Sequence, residues 1–376
     1  MMKFGVIGYG SRISTIVNIL IKKGTEFTAL SDKNTESATA RLKNNGIENV
    51  KIYNDAEDML KSEKLDGILI GTRRSSHTEY ACLAAKYNLP MFLEKPVCTN
   101  EQDLERLRGI MHMNEKCVVS FPLRLSYMFK KVKEIVDSGK LGTIEHIQAY
   151  NNVPYARGYY HKWYRDENET GGLWLQKATH DLDYISYLLG DNKPVKICAM
   201  KSKQIFKGNE PAGKMCKDCE KADTCPESPQ NVSKLGDGYA IGPYCCFAED
   251  TGNEDSGSCI ILFENGMHVV YSQDFIVRGE AGKRGARLIG YNGTLEFDWI
   301  SNKIKVYRHL EPLTEEYTPG AGGGSHFGGD DELADNFINV MLGKDISHSP
   351  LSEGIESANL CLKAKKSSEE HIFCDI

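Results

Sequence analysis

The chain has no long apolar run. Nowhere in its 376 residues does an uncharged stretch approach the ~20 residues that span a bilayer, so a membrane partner is not expected. It also lacks an apolar leader. Met1–Lys3 run straight into strand-like residues without a separate apolar segment or cleavage site, and a cytoplasmic location is expected. Cationic charge is short: 46 Lys and Arg stand against 52 Asp and Glu, a formal net charge of -6. Without a cationic excess to neutralise phosphates, nucleic acid is not an expected partner either. What remains is an ordinary globular composition, 40% hydrophobic and 26% charged, on a chain long enough for two domains.

Residues 3–121 alternate short apolar runs with helical patterns. Strands are expected at Lys3–Ile7, Phe27–Ser31, Val50–Tyr53, Gly67–Gly71, Met91–Leu93 and Cys117–Phe121. Between the first two, Ile13, Ile16, Val17 and Leu20 recur at i, i+3, i+4 and i+7, one buried helix face, with Gly24 as its stop. Asn54 and Asn100 are candidate N-caps for later helices. Repeated strand–helix units imply a doubly wound α/β domain over residues 1–121, a parallel sheet with helices on both faces.

The first strand runs into Gly8-Tyr9-Gly10-Ser11-Arg12. Gly8 permits a tight turn, and Gly10 lets a pyrophosphate approach the backbone at the N-terminus of the helix beginning near Ser11. Ile13 stands where the dinucleotide fingerprint has its third glycine, which leaves the closest helix–strand packing unexplained. Asp32 ends the second strand, 22 residues after Gly10. A carboxylate there accepts hydrogen bonds from ribose hydroxyls and repels a 2′-phosphate, so NAD is expected over NADP. Nearby Lys33 and Arg12 would soften that preference, and capping of the helix Thr35–Lys43 is an alternative role for Asp32. The fourth strand ends at Gly71-Thr72-Arg73, with His77 opening the next helix. Thr72 and Arg73 are therefore expected to line the cofactor cleft, and His77 to lie there or to hold its own helix N-terminus.

The fifth strand ends in Glu94-Lys95-Pro96. A dinucleotide-binding start, a strand ending in Glu-Lys-Pro and the helix around His180 together resemble the glucose–fructose oxidoreductase / inositol dehydrogenase / MocA (Gfo/Idh/MocA) family of NAD(P)-dependent sugar oxidoreductases. The resemblance spans nearly the whole chain, the cysteine-rich segment excepted. It implies a Rossmann domain in which Lys95 contacts the reacting sugar hydroxyl and the nicotinamide ribose, its charge stabilising a developing alkoxide or lowering the pKa of a neighbouring base. It also implies that Glu94 touches the cofactor and that Pro96 fixes the turn, in either peptide isomer.

Residues 122–376 form the second expected domain. Arg124 and Tyr127 begin an amphipathic helix that ends near Gly139, and Gly142–Tyr150 reads as a strand. The resemblance implies an α+β domain with an open, mainly antiparallel sheet that binds substrate and pairs into a homodimer or homotetramer. Asn265-Gly266 and Asn292-Gly293, each between alternating apolar runs, mark hairpins. After Gly171-Gly172, the residues Leu175, Ala178, Leu182, Ile185 and Leu189 form a helical apolar stripe, while Gln176, Lys177, His180, Asp183 and Tyr184 project from the other side. This resembles the family's Gly-Gly … Asp-x-x-x-His helix, whose His is the proposed acid/base on the sugar hydroxyl. His180 matches that His, Gln176 stands where the Asp would be, and Lys177 follows. The exchange of an acid for a cation favours a neutral His180 near pH 7, with Asp181 or Asp183 available to orient it. Tyr155, Arg157, Tyr159, His161 and Trp163 precede this helix and suit stacking on a sugar and hydrogen bonding to hydroxyls or a carboxylate; an ordered aromatic loop or a subunit contact would use them equally well. Gly322-Gly323-Gly324 reads as a mobile loop or plain connector leading into the helix Glu332–Leu342.

Cysteine is plentiful, 12 residues, and in a reducing compartment these are thiols or metal ligands. Cys216-x2-Cys219-x5-Cys225 and Cys245-Cys246 fall in a polar insert at about 208–246. The spacing suits a structural zinc held by Cys216, Cys219, Cys225 and either Cys245 or Cys246, which would help an insert with few apolar residues stay folded. A four-thiolate iron–sulfur cluster and free thiols or disulfides are the alternatives.

The resemblance implies an NAD-dependent oxidoreductase acting on a sugar, inositol or sugar-derived polyol, with His180 taking the hydroxyl proton and Lys95 and Lys177 facing the alkoxide. Two other readings remain open: a redox-neutral glycosidase that oxidises, eliminates, hydrates and reduces on one NAD, and a non-catalytic NAD-binding regulator.

Overall fold

The computed structural model describes residues 1–235, 241–320 and 325–376, Ser325 by its backbone only. They form two compact units, Met1–Lys130 with Ala321–Asn359, and Lys131–Gly320 with Leu360–Ile376.

In the first unit six strands, β1 (Lys3–Ile7), β2 (Glu26–Ser31), β3 (Lys51–Tyr53), β4 (Gly67–Ile70), β5 (Met91–Leu93) and β6 (Cys117–Val119), lie in the order β3-β2-β1-β4-β5-β6. Every pairing is parallel. The order reverses beside β1, which places the ligand crevice at the carboxyl ends of β1 and β4. Strands β4 and β5 are buried along their whole length, as covering on both faces requires. The helix Ser11–Lys22 buries Ile13, Ile16, Val17 and Leu20, and the chain leaves it through Gly24 at φ +89. Asn100 caps its helix as expected, whereas Asp55, the neighbour of Asn54, caps the helix Ala56–Ser62.

The missing third glycine has a local answer. A Cβ on Gly71, at the end of β4, would lie 2.5 Å from the Cβ of Ile13. The close approach of helix and strand is therefore made with the glycine on the strand and the bulky residue on the helix.

Residues 326–359, which the sequence assigns to the later domain, pack in this unit. The helix Gly329–Met341 sends Leu333, Ala334, Phe337 and Val340 into one cluster with Phe4, Val6, Ile13, Val17 and Phe92. Phe337 meets the Phe92 ring edge-on at 5.9 Å. Gly67 has no room for a side chain, because Met341 Sδ lies 2.5 Å from where its Cβ would be. Each large apolar side chain buried here contributes roughly 1.5–3 kcal/mol, a gain that composition alone does not assign to either half of the chain. The Gly322-Gly323-Gly324 run lies outside the described residues.

The second unit is built on nine strands: β7 (Ile144–Asn152), β8 (Pro194–Ser202), β9 (Ser256–Phe263), β10 (His268–Asp274), β11 (Lys283–Gly290), β12 (Gly293–Asp298), β13 (Lys303–Arg308), β14 (Thr314–Tyr317) and β15 (Cys374–Asp375). Their order is β14-β13-β12-β11-β7-β10-β9-β8-β15. Only β7 and β10 run parallel; the other pairs are antiparallel. Gly257, Cys259, Ile261 and Phe263 of β9 point inward while Ser258, Ile260 and Leu262 are exposed, the alternation of a sheet covered on one face. The Asn265-Gly266 hairpin forms with Gly266 at φ +90. The second hairpin turns one residue early. Tyr291 and Asn292 make the link, their amides donating to Thr143 O and Leu141 O, so Gly293 already belongs to β12.

Gly171 and Gly172 both adopt positive φ, +78 and +91. They lead into a π-helical turn, Trp174–Ala178, and then the α-helix Thr179–Leu189. This helix is not two-faced: His180, Asp181, Asp183 and Tyr184 are as buried as Leu182 and Ile185. Among the described residues no helix is long and apolar enough to cross a membrane.

Candidate functional site

Gly8 sits at φ +80, and a Cβ there would lie 2.6 Å from Thr72 Cα, so only glycine makes this turn. Gly10 is the N-cap of the helix Ser11–Lys22 and offers no side-chain cap. The nearest atom to a Cβ on it would be Gly71 O at 3.7 Å. The helix amides thus face an approach that no side chain fills, a cradle suited to a pyrophosphate. Asp32 Oδ2 accepts from the Tyr9 amide at 2.7 Å and Oδ1 from the Asn34 amide at 2.8 Å. A carboxylate has about four acceptor positions, so capacity remains for two ribose hydroxyls. The capping role falls to Asn34, which accepts from Ser37 N at 3.0 Å. These residues fit NAD.

Arg12 is committed elsewhere. Its Nη1 donates to Asp330 Oδ2 at 2.7 Å, its Nε stands 3.2 Å from Glu94 Oε1, and its Nη2 reaches Asp330 Oδ1 and Ser120 Oγ. Burial would weaken the guanidinium charge, but Glu94 and Asp330 more than offset that and hold its pKa up. Asp330, 318 positions away in sequence, gave no sequence signal as its partner. Glu94 is held by Arg12 and by Ser120 Oγ at 3.1 Å, facing these neighbours at the end of β5.

His77 is fully buried. Its Nδ1 lies 2.7 Å from Pro96 O and its Nε2 3.3 Å from Thr72 O. Burial pushes it down to about 4, so the ring is neutral and one nitrogen alone carries hydrogen. The shorter contact assigns that hydrogen to Nδ1. His77 therefore donates to the turn that carries the cis Lys95-Pro96 bond, and its unprotonated Nε2 makes no hydrogen bond to Thr72 O. Thr72 Oγ1 accepts from Ser76 Oγ at 2.9 Å, Arg73 is exposed, and Lys95 is half-buried.

In the second unit Lys177 is 5% exposed, and its Nζ donates to Tyr155 Oη at 2.7 Å. The ammonium also lies 4.7 Å from the Tyr155 ring centre and 5.4 Å from that of Tyr159. His180 and Gln176 are buried beside it in sequence. Asp181 is fully buried and its carboxylate accepts from three donors: Arg284 Nε donates to Oδ1 at 2.8 Å, and Asn151 Nδ2 and Tyr271 Oη donate to Oδ2 at 2.8 and 3.0 Å. Arg157 Nε donates to Glu227 Oε2 at 3.1 Å, and His161 Nδ1 lies 2.7 Å from Tyr244 O. Both side chains are drawn to the cysteine insert. Trp163 stacks on Tyr164 at 4.1 Å. Of the aromatic segment before the helix, Tyr155 and Tyr159 are the residues the structure joins to Lys177.

Cys216, Cys219, Cys225, Cys245 and Cys246 line one recess with His161 and Glu227. Yet among the described residues no three His, Cys, Asp or Glu side chains are gathered closely enough to hold a metal ion. The expected zinc, and equally a four-thiolate cluster, is not supported, and the cysteines are free thiols. Cys216 Sγ instead contacts Tyr244 O at 3.4 Å, and Cys246 packs with Tyr160, Phe206 and Phe275. Burial pushes the Cys216 thiol up to about 11 and Cys246 higher. Glu227, paired with Arg157 and Arg278, and Glu210, paired with Lys214 and Lys221, supply cross-links that spacing alone does not reveal.

Comparison with known proteins gives two family matches. Residues 2–121 match the oxidoreductase family with an NAD-binding Rossmann fold, and residues 129–296 match the GFO/IDH/MocA C-terminal domain. YteT of Bacillus subtilis (strain 168), named only as an oxidoreductase, is 25% identical over 328 residues, 77% of this chain and 75% of its own. A myo-inositol 2-dehydrogenase of Thermotoga maritima is 28% identical over 197 residues, 50% of this chain and 55% of its own. A levoglucosan dehydrogenase solved with NADH and levoglucosan has the same fold, with a TM-score of 0.77 at 16% identity, covering 100% of this chain and 99% of its own.

Proposed function

The chain belongs to the Gfo/Idh/MocA family of oxidoreductases, and we propose that it is an NAD-dependent dehydrogenase oxidising a hydroxyl of a sugar, inositol or sugar-derived polyol. The observation that carries the reading is the cradle at the end of β1, where Gly8 and Gly10 leave a helix N-terminus open and Asp32 retains free acceptor positions. The substrate class rests on relatives whose names give inositol and levoglucosan.

NAD, when bound, supplies the hydride acceptor. The chain's own residues do the rest. The backbone amides after Gly10 hold phosphate, and Asp32 binds the ribose hydroxyls and disfavours a 2′-phosphate. Lys95, on the turn that His77 ties down, sets a positive charge against the developing alkoxide. His180 is the proton acceptor that the family pattern nominates, with Lys177 three residues before it. The open sheet face exposes Met200, Ile260 and Leu262 at 70, 52 and 40%, which supports a homodimer or homotetramer.

The test is NADH absorbance with NAD and a panel of free sugars, polyols and aryl glycosides, read beside aglycone release. NADH accumulating with one free sugar or polyol is the expected result. Aglycone release without NADH would replace this reading by the redox-neutral glycosidase.

A further inference from the structure

A buried lysine normally has a carboxylate partner, because an unpaired ammonium out of water costs several kcal/mol. Lys177 has none among the described residues: its hydrogen-bond partner is the Tyr155 hydroxyl, at 2.7 Å. Lys177 and Arg284 bring two positive charges to it, and Asp181 is a carboxylate whose charge acts on it. Asp181 is already occupied by Arg284 Nε, Asn151 and Tyr271. Arg284 Nη2 is buried with no hydrogen-bond partner of its own. Tyr159 adds its ring to Lys177 from the helix Arg157–His161, and His180 follows on the next turn of the same chain segment. Among the described residues the group that Lys177 donates to is thus a phenol rather than a carboxylate.

We infer that Tyr155, charged as a phenolate against Lys177, is the side chain that takes the proton from the substrate hydroxyl, while Lys177 is the positioning residue that makes it a base. The inference rests on the dehydrogenase reading above and puts Tyr155 in the place of His180 as the acceptor within it. Tyr155 is 37% exposed, so the residue is reachable by a ligand although its hydroxyl is held by a buried ammonium. Electrostatics agree. Burial pushes the Tyr155 phenol up, but Lys177 and Arg284 together outweigh it, and the net shift is downward. Tyr159 moves the other way, because burial dominates there. The two tyrosines around one lysine are thereby distinguished.

The step balances. The substrate O–H bond breaks and its proton joins Tyr155 Oη; the C–H bond breaks and its electron pair leaves with hydrogen as hydride to NAD; the carbonyl forms. Tyr155 Oη then releases its proton to solvent once the product has left. His180 is left to hold the substrate hydroxyl rather than to deprotonate it.

The experiment pairs two readouts. Phenolate absorbance against pH, on the protein without substrate, is expected to show one tyrosine ionising below the ordinary phenol range near ~10. That transition disappears in Tyr155→Phe, moves upward in Lys177→Met and is retained in Lys177→Arg. In the NADH assay Tyr155→Phe is expected to lose roughly 10²–10⁴-fold in kcat with KM little changed, and Lys177→Arg to recover part of what Lys177→Met loses. No early tyrosine in the parent protein would overturn the inference, as would an unchanged kcat and pH profile in Tyr155→Phe. A parent protein that ionises early yet makes no NADH with any sugar or polyol overturns the dehydrogenase reading, and with it the proton-transfer role, while the Tyr155–Lys177 pair stands.

Discussion

Replacing Glu254 by Gln removes a charge that the second unit accommodates at a cost. Glu254 is 5% exposed, and burial pushes its carboxyl up to about 7. Glu167 adds to the rise, while its own amide, Lys201 and the Leu173 amide oppose it. Gln273 Nε2 donates to Oε1 at a long 3.4 Å. The sign follows from the raised pKa. Below the unfolded value of 4.5 the group is protonated in both states. Between 4.5 and about 7 the unfolded chain releases its proton while the folded one keeps it, so stability falls as pH rises. Above that range both forms are charged and the loss levels off. At ~1.4 kcal/mol per pKa unit the full loss is roughly 3 kcal/mol. Gln keeps the shape without the charge, at a pH-independent cost of about 1 kcal/mol for a carboxylate acceptor lost to the two amides. Urea denaturation followed by circular dichroism at several pH values gives the comparison. The stability of Glu254→Gln relative to the parent is expected to rise by roughly 3 kcal/mol from pH 4 to pH 8. A difference that stays flat across that range, or that falls with pH, would refute the buried-carboxylate argument.

Three further outcomes follow from the geometry. Asp32→Ala frees the Tyr9 amide and removes the ribose acceptor; calorimetric titration should show NAD affinity falling roughly 10–100-fold, from about 1.5–3 kcal/mol for a charged hydrogen bond. Arg284→Met leaves Asp181 charged and unpaired inside the second unit and is expected to cost about 3–5 kcal/mol in denaturant unfolding, whereas a loss under 1 kcal/mol would mean that Asn151 and Tyr271 suffice. Gly71→Ala drives a methyl into Ile13, costing about 1–3 kcal/mol; in a double-mutant cycle Ile13→Ala should recover part of that loss, and strict additivity would deny the contact.

What could be read in advance was local. Gly8, Gly10 and Asp32 lie within one strand–helix–strand unit, and the Asn265-Gly266 turn is set by its own two residues, so neighbouring sequence carries the information. Partners far away in sequence were not legible. Asp181 looked available to orient His180 because Arg284, 103 positions on, has no pattern linking it to that helix. Arg12 read as a charge that would soften the preference for NAD, with nothing in the sequence to show its pairing with Asp330. The π turn at Trp174–Ala178 also escaped, since a 3.6-residue period was assumed through it. The cysteine spacing suggested a metal because spacing alone says nothing of Sγ positions, and here the thiols line a recess without converging on one point.

The return of Ala321–Asn359 to the first unit also sets an order of events during synthesis. When Lys130 leaves the ribosome the parallel sheet has all six strands, but Phe92 and Gly67 still wait for Phe337 and Met341. The intervening Lys131–Gly320 takes roughly 10–40 s to make at about 5–20 residues per second. Throughout that interval the nascent chain carries a cofactor domain with an uncovered apolar face, a natural client for a chaperone. The second unit's sheet has nearly all its strands before the first unit can close its core. A gene fragment ending at the first domain's apparent boundary would arrest the protein in that state for good.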